Sequence, residues 1–116
     1  MFIEIVLAFL AGSFAGIFTG LIPGIHINLI SILLLTISPM LLKYTNPVIL
    51  ACFIISMAVT HTFLDFIPGI FLGAPDAETA LAILPGHRML LEGKAFEAVK
   101  ITVIGSLGSL LLAVMF

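Results

Sequence analysis

A histidine and an aspartate stand inside one of the most apolar stretches of the chain. His61 and Asp65 are four residues apart, between Pro47 and Pro68, among aliphatic and aromatic side chains. On a helix this spacing places both side chains on one face. Ionisable groups cost several kcal/mol in membrane-buried sequence, so each is a functional candidate. Such a pair can relay protons, bind a cation, or neutralise itself as a structural pair. A further interpretation is that Asp65, near the predicted helix end, is exposed to water at the membrane interface.

A second polar group follows the dipeptide Pro23-Gly24, which interrupts the apolar sequence. His26 and Asn28 come directly after it. Gly24, His26 and Asn28 are candidates for contact with a substrate. The competing interpretation is that Asn28 caps the following helix and that His26 lies at the membrane interface.

Two carboxylates, Asp76 and Glu78, mark the start of a predicted short helix. Asp76 suits the N-cap position, with Thr79 three residues later, and a negative charge in the first turn compensates the helix dipole. Pro85-Gly86 is predicted to stop this helix. The competing interpretation is that these carboxylates hold a cation. The candidate ion-coupling set is therefore His61, Asp65, Asp76 and Glu78.

Motifs of the common enzyme classes do not occur in the sequence. It contains no H-E-x-x-H, no G-x-S-x-G and no phosphate-binding G-K-[ST] loop. His61 and Asp65 supply too few ligands for a metal centre. We therefore predict no catalytic residues, no bound metal and no cofactor other than a coupling Na⁺ or H⁺. An intramembrane enzyme would rest on His61 and Asp65 alone.

The composition identifies the environment of these residues as lipid. Of the 116 residues, 62% are hydrophobic and 9% are charged, with a net charge of −2. Soluble domains carry about 25% charged residues, and nucleic-acid binding needs a basic surface. We therefore predict an all-α, polytopic membrane protein that contacts the bilayer and binds no nucleic acid.

The apolar runs predict one transmembrane domain, residues 1–116, with about four spans. A span needs about 20 apolar residues. The predicted spans are residues 2–22, 25–42, 48–66 and 95–116. The region 67–86 is too polar for a simple span, and its predicted helix is too short to cross a bilayer. We therefore expect a broken or re-entrant helical segment there, because irregular backbone at membrane depth must be buried in protein or line a wet cavity.

Glycines recur every fourth residue along one face of the first predicted helix, at positions 12, 16 and 20. Small residues at this spacing let two helices approach closely in lipid. Gly12, Gly16 and Gly20 are therefore predicted to form a packing face. This face also supports an alternative function, in which the chain is a small self-associating membrane protein without transport activity of its own.

Two stretches of the chain resemble signatures of a known transporter family. GIFTGLIPG (residues 16–24) resembles the first signature of the large permease subunit of tripartite tricarboxylate transporters, the TctA type. IPGIFLGAPDAETALAILPGHRMLLEGKAFEAVK (residues 67–100) resembles its second signature. The resemblance covers roughly residues 12–105. The chain departs from the family pattern in three turns, at Ile25-His26, Pro75-Asp76 and Pro85-Gly86.

This resemblance implies a permease segment of an ion-coupled secondary transporter for small organic anions, carboxylates such as tricarboxylates. It implies that the chain is the N-terminal part of a longer permease, or a shortened relative of one, and that it lies in the plasma membrane with multiple spans. The implied partners are a small membrane subunit and a periplasmic or extracellular solute-binding protein. We also consider a homo-oligomer, in which the partner is a second copy of this chain. Discontinuous helices at the breaks would then expose backbone groups near the middle of the membrane, as in other secondary transporters.

Overall fold

A computed structural model describes residues 1–75 and 79–116, and all regular structure within these residues is helical. The helices are α1 (Phe2–Leu21), α2 (Ile27–Leu41), α3 (Pro47–Leu64), α4 (Phe66–Leu72), α5 (Ala80–Leu91) and α6 (Ala95–Met115). The prediction of an all-α, helical membrane fold is confirmed. The helices group into two compact units, Met1–Asp65 and Phe66–Phe116.

Three helical segments of the described chain are long and apolar enough to cross a membrane. They are Phe2–Leu21, Pro47–Leu72 and Ala95–Met115. Helix α2, at 15 residues, is shorter than the roughly 20 residues that a straight crossing requires. The division into four spans and a single domain stays a prediction.

Helices α1 and α2 are separated by an extended turn around the first Pro-Gly. Ile22 is extended, and Gly24 has a φ of +85°. A Cβ at Gly24 would meet none of the described residues within 4 Å, and the left-handed backbone favours glycine there. His26 occupies the N-cap of α2. The interpretation of Asn28 as the cap is therefore wrong, because the helix begins at Ile27 and already includes Asn28.

A compact turn joins α2 to α3, and its last residues stabilise the start of α3. The Asn46 side chain accepts a hydrogen bond from the Ile49 amide at 3.0 Å. Pro47 follows at the first helical position, where its missing N–H costs nothing. This cap fixes the start of the helix that carries His61 and ends at Leu64, directly before Asp65.

The first unit is held together chiefly by the packing of α1 on α3. Gly12, Gly16 and Gly20 are buried on this face. A Cβ at Gly16 would lie 2.5 Å from the Met57 carbonyl oxygen, and one at Gly20 would lie 2.9 Å from the His61 carbonyl oxygen. The backbones of the two helices therefore meet at a distance that only glycine permits. The glycine face that the self-association alternative requires is covered by α3 of the same chain.

The second unit is built on a hairpin of α4 and α5 with a reciprocal contact. Ile83 of α5 packs against Gly69 of α4, and Ile70 of α4 packs against Gly86 of α5. Ile70, Ile83 and Phe66 are almost fully buried and form the core, against which Val99 and Val103 of α6 also pack. Each glycine thus makes room for an isoleucine of the opposite helix.

Pro68-Gly69, which follows the predicted span 48–66 and is expected to close it, does not end a helix. Helix α3 ends earlier, at Leu64, and Pro68 is the third residue of α4. The amides of the first helical turn have no intrahelical acceptor, so a proline there removes no hydrogen bond. The break falls instead at Asp65 and, later, at Gly73.

Pro85-Gly86 also fails to stop a helix, and this prediction is wrong. Helix α5 begins at Ala80, with Thr79 at its N-cap, and continues through both residues to Leu91. A proline inside a helix costs about 3 kcal/mol. The burial of Ile70 against Gly86 opposes this cost, since the contact exists only if α5 stays helical at Gly86. The predicted cap Asp76 lies outside the described residues.

Candidate functional site

His61 is a buried polar group at the contact between α1 and α3. Its side chain is 2% exposed. Its Nδ1 lies 3.0 Å from the Thr19 hydroxyl oxygen of α1. Because Gly16 and Gly20 bring the two backbones close, a short hydroxyl can reach the imidazole across the contact.

The Thr19 hydroxyl fixes the orientation of this histidine. Its oxygen lies 3.3 Å from the Gly16 carbonyl oxygen, to which it donates. With its hydrogen used there, the hydroxyl accepts from His61 Nδ1–H, and the neutral ring then carries no hydrogen on Nε2. The sequence analysis missed Thr19. The available signal was a hydroxyl residue directly before Gly20, at the end of the glycine face.

Asp65 occupies the C-cap of α3, and its backbone amide donates to the His61 carbonyl at 2.9 Å. Its side chain is half-buried and engages in a further interaction. The predicted side-chain pair is not what orients the imidazole, since Nδ1 bonds to Thr19 instead. His61 and Asp65 nevertheless stand within one turn at the end of the same helix.

The N-terminus of α2 presents backbone and polar groups to the surface. His26 and Asn28 are exposed, and the first turn contains no acidic residue. The side chain of the N-cap residue, His26, makes no capping hydrogen bond. The first amides of a helix carry a partial positive charge. His26 makes a further interaction of its own.

The second unit contains a polar contact that the sequence analysis did not single out. His87 of α5 is half-buried, and its Nδ1 lies 2.6 Å from the Ile70 carbonyl oxygen of α4. Its ring lies over Gly73, where α4 ends with a φ of +63°. The signal was an imidazole directly after Pro85-Gly86. The predicted ion-coupling residues Asp76 and Glu78 lie outside the described residues.

A large open groove in the first unit is distinct from these polar contacts. It has a volume of about 940 Å³ and is lined mainly by apolar side chains of α1, α2 and α3. Glu4, Lys43 and Asn46 contribute polar groups to its lining. Among the described residues, no candidate for substrate or ion binding lines this groove.

Comparison with known proteins places the chain in a family. Residues 6–116 match the Tripartite tricarboxylate transporter TctA family. An uncharacterized protein of Methanocaldococcus jannaschii is 41% identical over 95 residues, which cover 82% of this chain and 23% of that protein. The chain thus spans less than a quarter of the length of this relative. No solved structure matches.

The family match and the apolar helices lead to the same conclusion about the environment of the chain. Nearly the whole sequence takes part in the match, and three of its described helical segments can cross a membrane. The resemblance seen in the two signature stretches is therefore confirmed. The protein is a membrane protein that belongs to the TctA family of tripartite tricarboxylate transporters.

Proposed function

We propose that this chain is the permease segment of an ion-coupled secondary transporter for small organic anions, carboxylates such as tricarboxylates. The observation that carries the proposal is the family match over residues 6–116. The protein then acts as a transporter and not as an enzyme. It lies in the plasma membrane with several spans, beside a small membrane subunit and an extracytoplasmic solute-binding protein.

The substrate site proposed for the first unit is the N-terminus of α2. Gly24, His26 and Asn28 lie at the start of α2, and the first turn of this helix contains no acidic residue. A helix N-terminus of this kind attracts a carboxylate through its amides and its dipole. Half-helix N-termini serve this purpose in other secondary transporters.

The ion-coupling role is proposed for His61 and Asp65, together with Asp76 and Glu78. His61 is buried yet titratable, and Thr19 holds it through Nδ1. Asp65 lies one turn away. A carboxylate next to an imidazole can take up Na⁺ or H⁺ as the anion moves, which would make the transport of a negative substrate depend on the ion gradient.

The hairpin of α4 and α5 is proposed as the re-entrant element of the permease. Its helices have 7 and 12 residues, and neither alone reaches the length of a straight span. Their reciprocal glycine–isoleucine contacts pair the two helices into one unit. Such a unit can enter and leave the membrane on one side.

Uptake into membrane vesicles tests this function. Vesicles containing the native transporter receive the solute-binding protein and radiolabelled citrate, succinate or acetate, under an imposed Na⁺ or pH gradient. We expect carboxylate accumulation that collapses when the gradient is dissipated. Vesicles from cells lacking the permease are the control. Absence of uptake for all three anions under both gradients refutes the proposal, and conversion of the anion without accumulation indicates an enzyme.

A further inference from the structure

The α4–α5 hairpin holds an imidazole in a fixed position that the proposed function has not used. His87 Nδ1 lies 2.6 Å from the Ile70 carbonyl oxygen. A carbonyl only accepts, so Nδ1 carries the hydrogen and donates it. Ile70 belongs to the last turn of α4, whose carbonyls lack intrahelical partners. His87 therefore caps the C-terminal end of α4 from the neighbouring helix.

The turn after α4 restrains the ring from its other side. A Cβ at Gly73 would lie 2.8 Å from His87 Nε2 and 2.9 Å from both adjacent ring carbons. The Ala74 amide closes the end of α4 by donating to the Gly69 carbonyl at 3.2 Å. The ring is therefore held by a hydrogen bond at Nδ1 and by contact with a glycine that has no side chain.

His87 is half-buried, so part of its ring reaches the surface of the hairpin. Within the described part of the chain, the hydrogen bonds of His87 reach Nδ1 alone. An unsatisfied polar group in apolar surroundings is costly. A polar partner for Nε2 would therefore stabilise the ring.

We propose that His87 Nε2 is a binding group for a carboxylate of the transported anion, which rests on the proposed function and adds a residue to it. A carboxylate only accepts, so the ring that binds it carries hydrogen on both nitrogens. Nδ1–H stays on the Ile70 carbonyl, and Nε2–H donates to the anion. The bond at Nδ1 orients the ring before the anion arrives, which reduces the ordering cost of binding.

The charged side chains near α5 are exposed, which favours His87 as the group that binds the anion. Helix α4 contributes no titratable residue. Arg88 of α5 and Glu92, the residue directly after α5, are exposed and lie 3.6 Å apart as an ion pair. Helix α6 contributes Glu97 and Lys100, which are both exposed. Among the titratable side chains of the described hairpin, the half-buried one is therefore His87.

Replacing His87 by asparagine or glutamine distinguishes anion binding by Nε2 from capping of α4 by Nδ1. In His87→Asn the side-chain N–H lies near the position of Nδ1, and in His87→Gln it lies near the position of Nε2. We expect His87→Asn to keep the thermal stability of the unliganded transporter but to raise the KM for citrate uptake about tenfold, the effect of one lost charge-assisted hydrogen bond. His87→Gln should lower stability and change KM less. A purely structural role predicts the reverse: His87→Asn would then retain its KM.

Chemical labelling provides a second measurement that does not depend on variants. Diethylpyrocarbonate modifies accessible imidazoles, and mass spectrometry locates the label. We expect citrate, but not chloride at equal ionic strength, to slow labelling of His87, while buried His61 serves as the unreactive control. Equal labelling with and without citrate, or an unchanged KM in His87→Asn, overturns this inference and leaves the proposed function standing. If the native transporter accumulates no carboxylate under either gradient, both fail together.

Discussion

Replacing Gly16 by alanine should push α1 and α3 apart. The added Cβ would lie 2.5 Å from the Met57 carbonyl oxygen and 2.7 Å from the Thr60 Cβ. The first of these atoms is backbone and cannot rotate away. The substitution therefore tests whether the α1–α3 contact depends on the absence of side chains at the glycine face.

The size of the effect follows from the displacement that alanine requires. Ordinary van der Waals contact begins at 3.4 Å, so the helices must separate locally by about 0.9 Å. A gap of 0.5–1 Å already loses about a quarter to a half of a dispersion contact. Overpacking of this kind costs about 1–3 kcal/mol. Alanine also gains up to about 1 kcal/mol in helix propensity, so we expect a net destabilisation of about 1–2 kcal/mol.

The single cysteine of the chain reports this opening directly. Cys52 is half-buried in α3, with its Sγ 3.8 Å from the Ile5 carbonyl oxygen of α1. In lipid nanodiscs, a maleimide dye should label Cys52 about 5- to 30-fold faster in Gly16→Ala, since about 1.4 kcal/mol corresponds to tenfold. Gly105→Ala on α6 is the matched control, because its Cβ would meet nothing within 4 Å. Equal labelling rates in Gly16→Ala and the wild type would refute the reasoning.

Three further predictions concern polar groups. Thr19→Val should remove the partner of buried His61 Nδ1, destabilise the α1–α3 contact by about 1–3 kcal/mol and so speed the labelling of Cys52, while Thr19→Ser restores stability. An unchanged labelling rate in Thr19→Val would contradict the contact. Asn28→Leu should raise the KM for citrate uptake and leave ion dependence unchanged, whereas Asp76→Asn should weaken ion dependence; equal shifts in both variants would argue against separate sites. Glu92→Gln should change thermal stability by less than about 1 kcal/mol, because its ion pairs with Arg88 and Lys94 are exposed; a large loss would show that these pairs are structural.

The sequence predicted those helices whose position depends on the length and hydropathy of an apolar run. The apolar runs located α1, α3 and α6 to within a few residues, because length and hydropathy decide where a helix can lie in lipid. The all-α class and the family followed from the same runs and from two signature stretches. The regular spacing of Gly12, Gly16 and Gly20 predicted a face for close packing. Its partner, α3, could not be identified from spacing alone.

The hydrogen-bond partners of His61 and His87 are set by tertiary contacts, which local sequence patterns do not reveal. Thr19 orients His61 across 42 positions of sequence, and His87 reaches Ile70 across 17. Neither pair has a periodicity that a sequence pattern could reveal. The predicted pairing of His61 with Asp65 used the spacing along one helix, but Nδ1 bonds to a neighbouring helix. The polar partners of a buried side chain depend on which helices pack together. In both units, glycines at the helix contacts determine this packing.

The tetrapeptide Ile-Pro-Gly-Ile occurs twice, at residues 22–25 and 67–70, and it shows why Pro-Gly is an ambiguous signal. Its first copy forms the turn before α2, where Gly24 has a φ of +85° and an added Cβ would meet no described atom within 4 Å. Its second copy lies inside α4, where Gly69 is helical and receives Ile83. In the first copy glycine supplies a backbone conformation, and in the second it supplies space. The two copies differ in their neighbours: α4 has a partner helix within reach, so a helical Pro68-Gly69 gains a packed isoleucine that a turn would lose. An alanine at position 24 should therefore strain the backbone there, whereas an alanine at position 69 should displace Ile83 and loosen the hairpin.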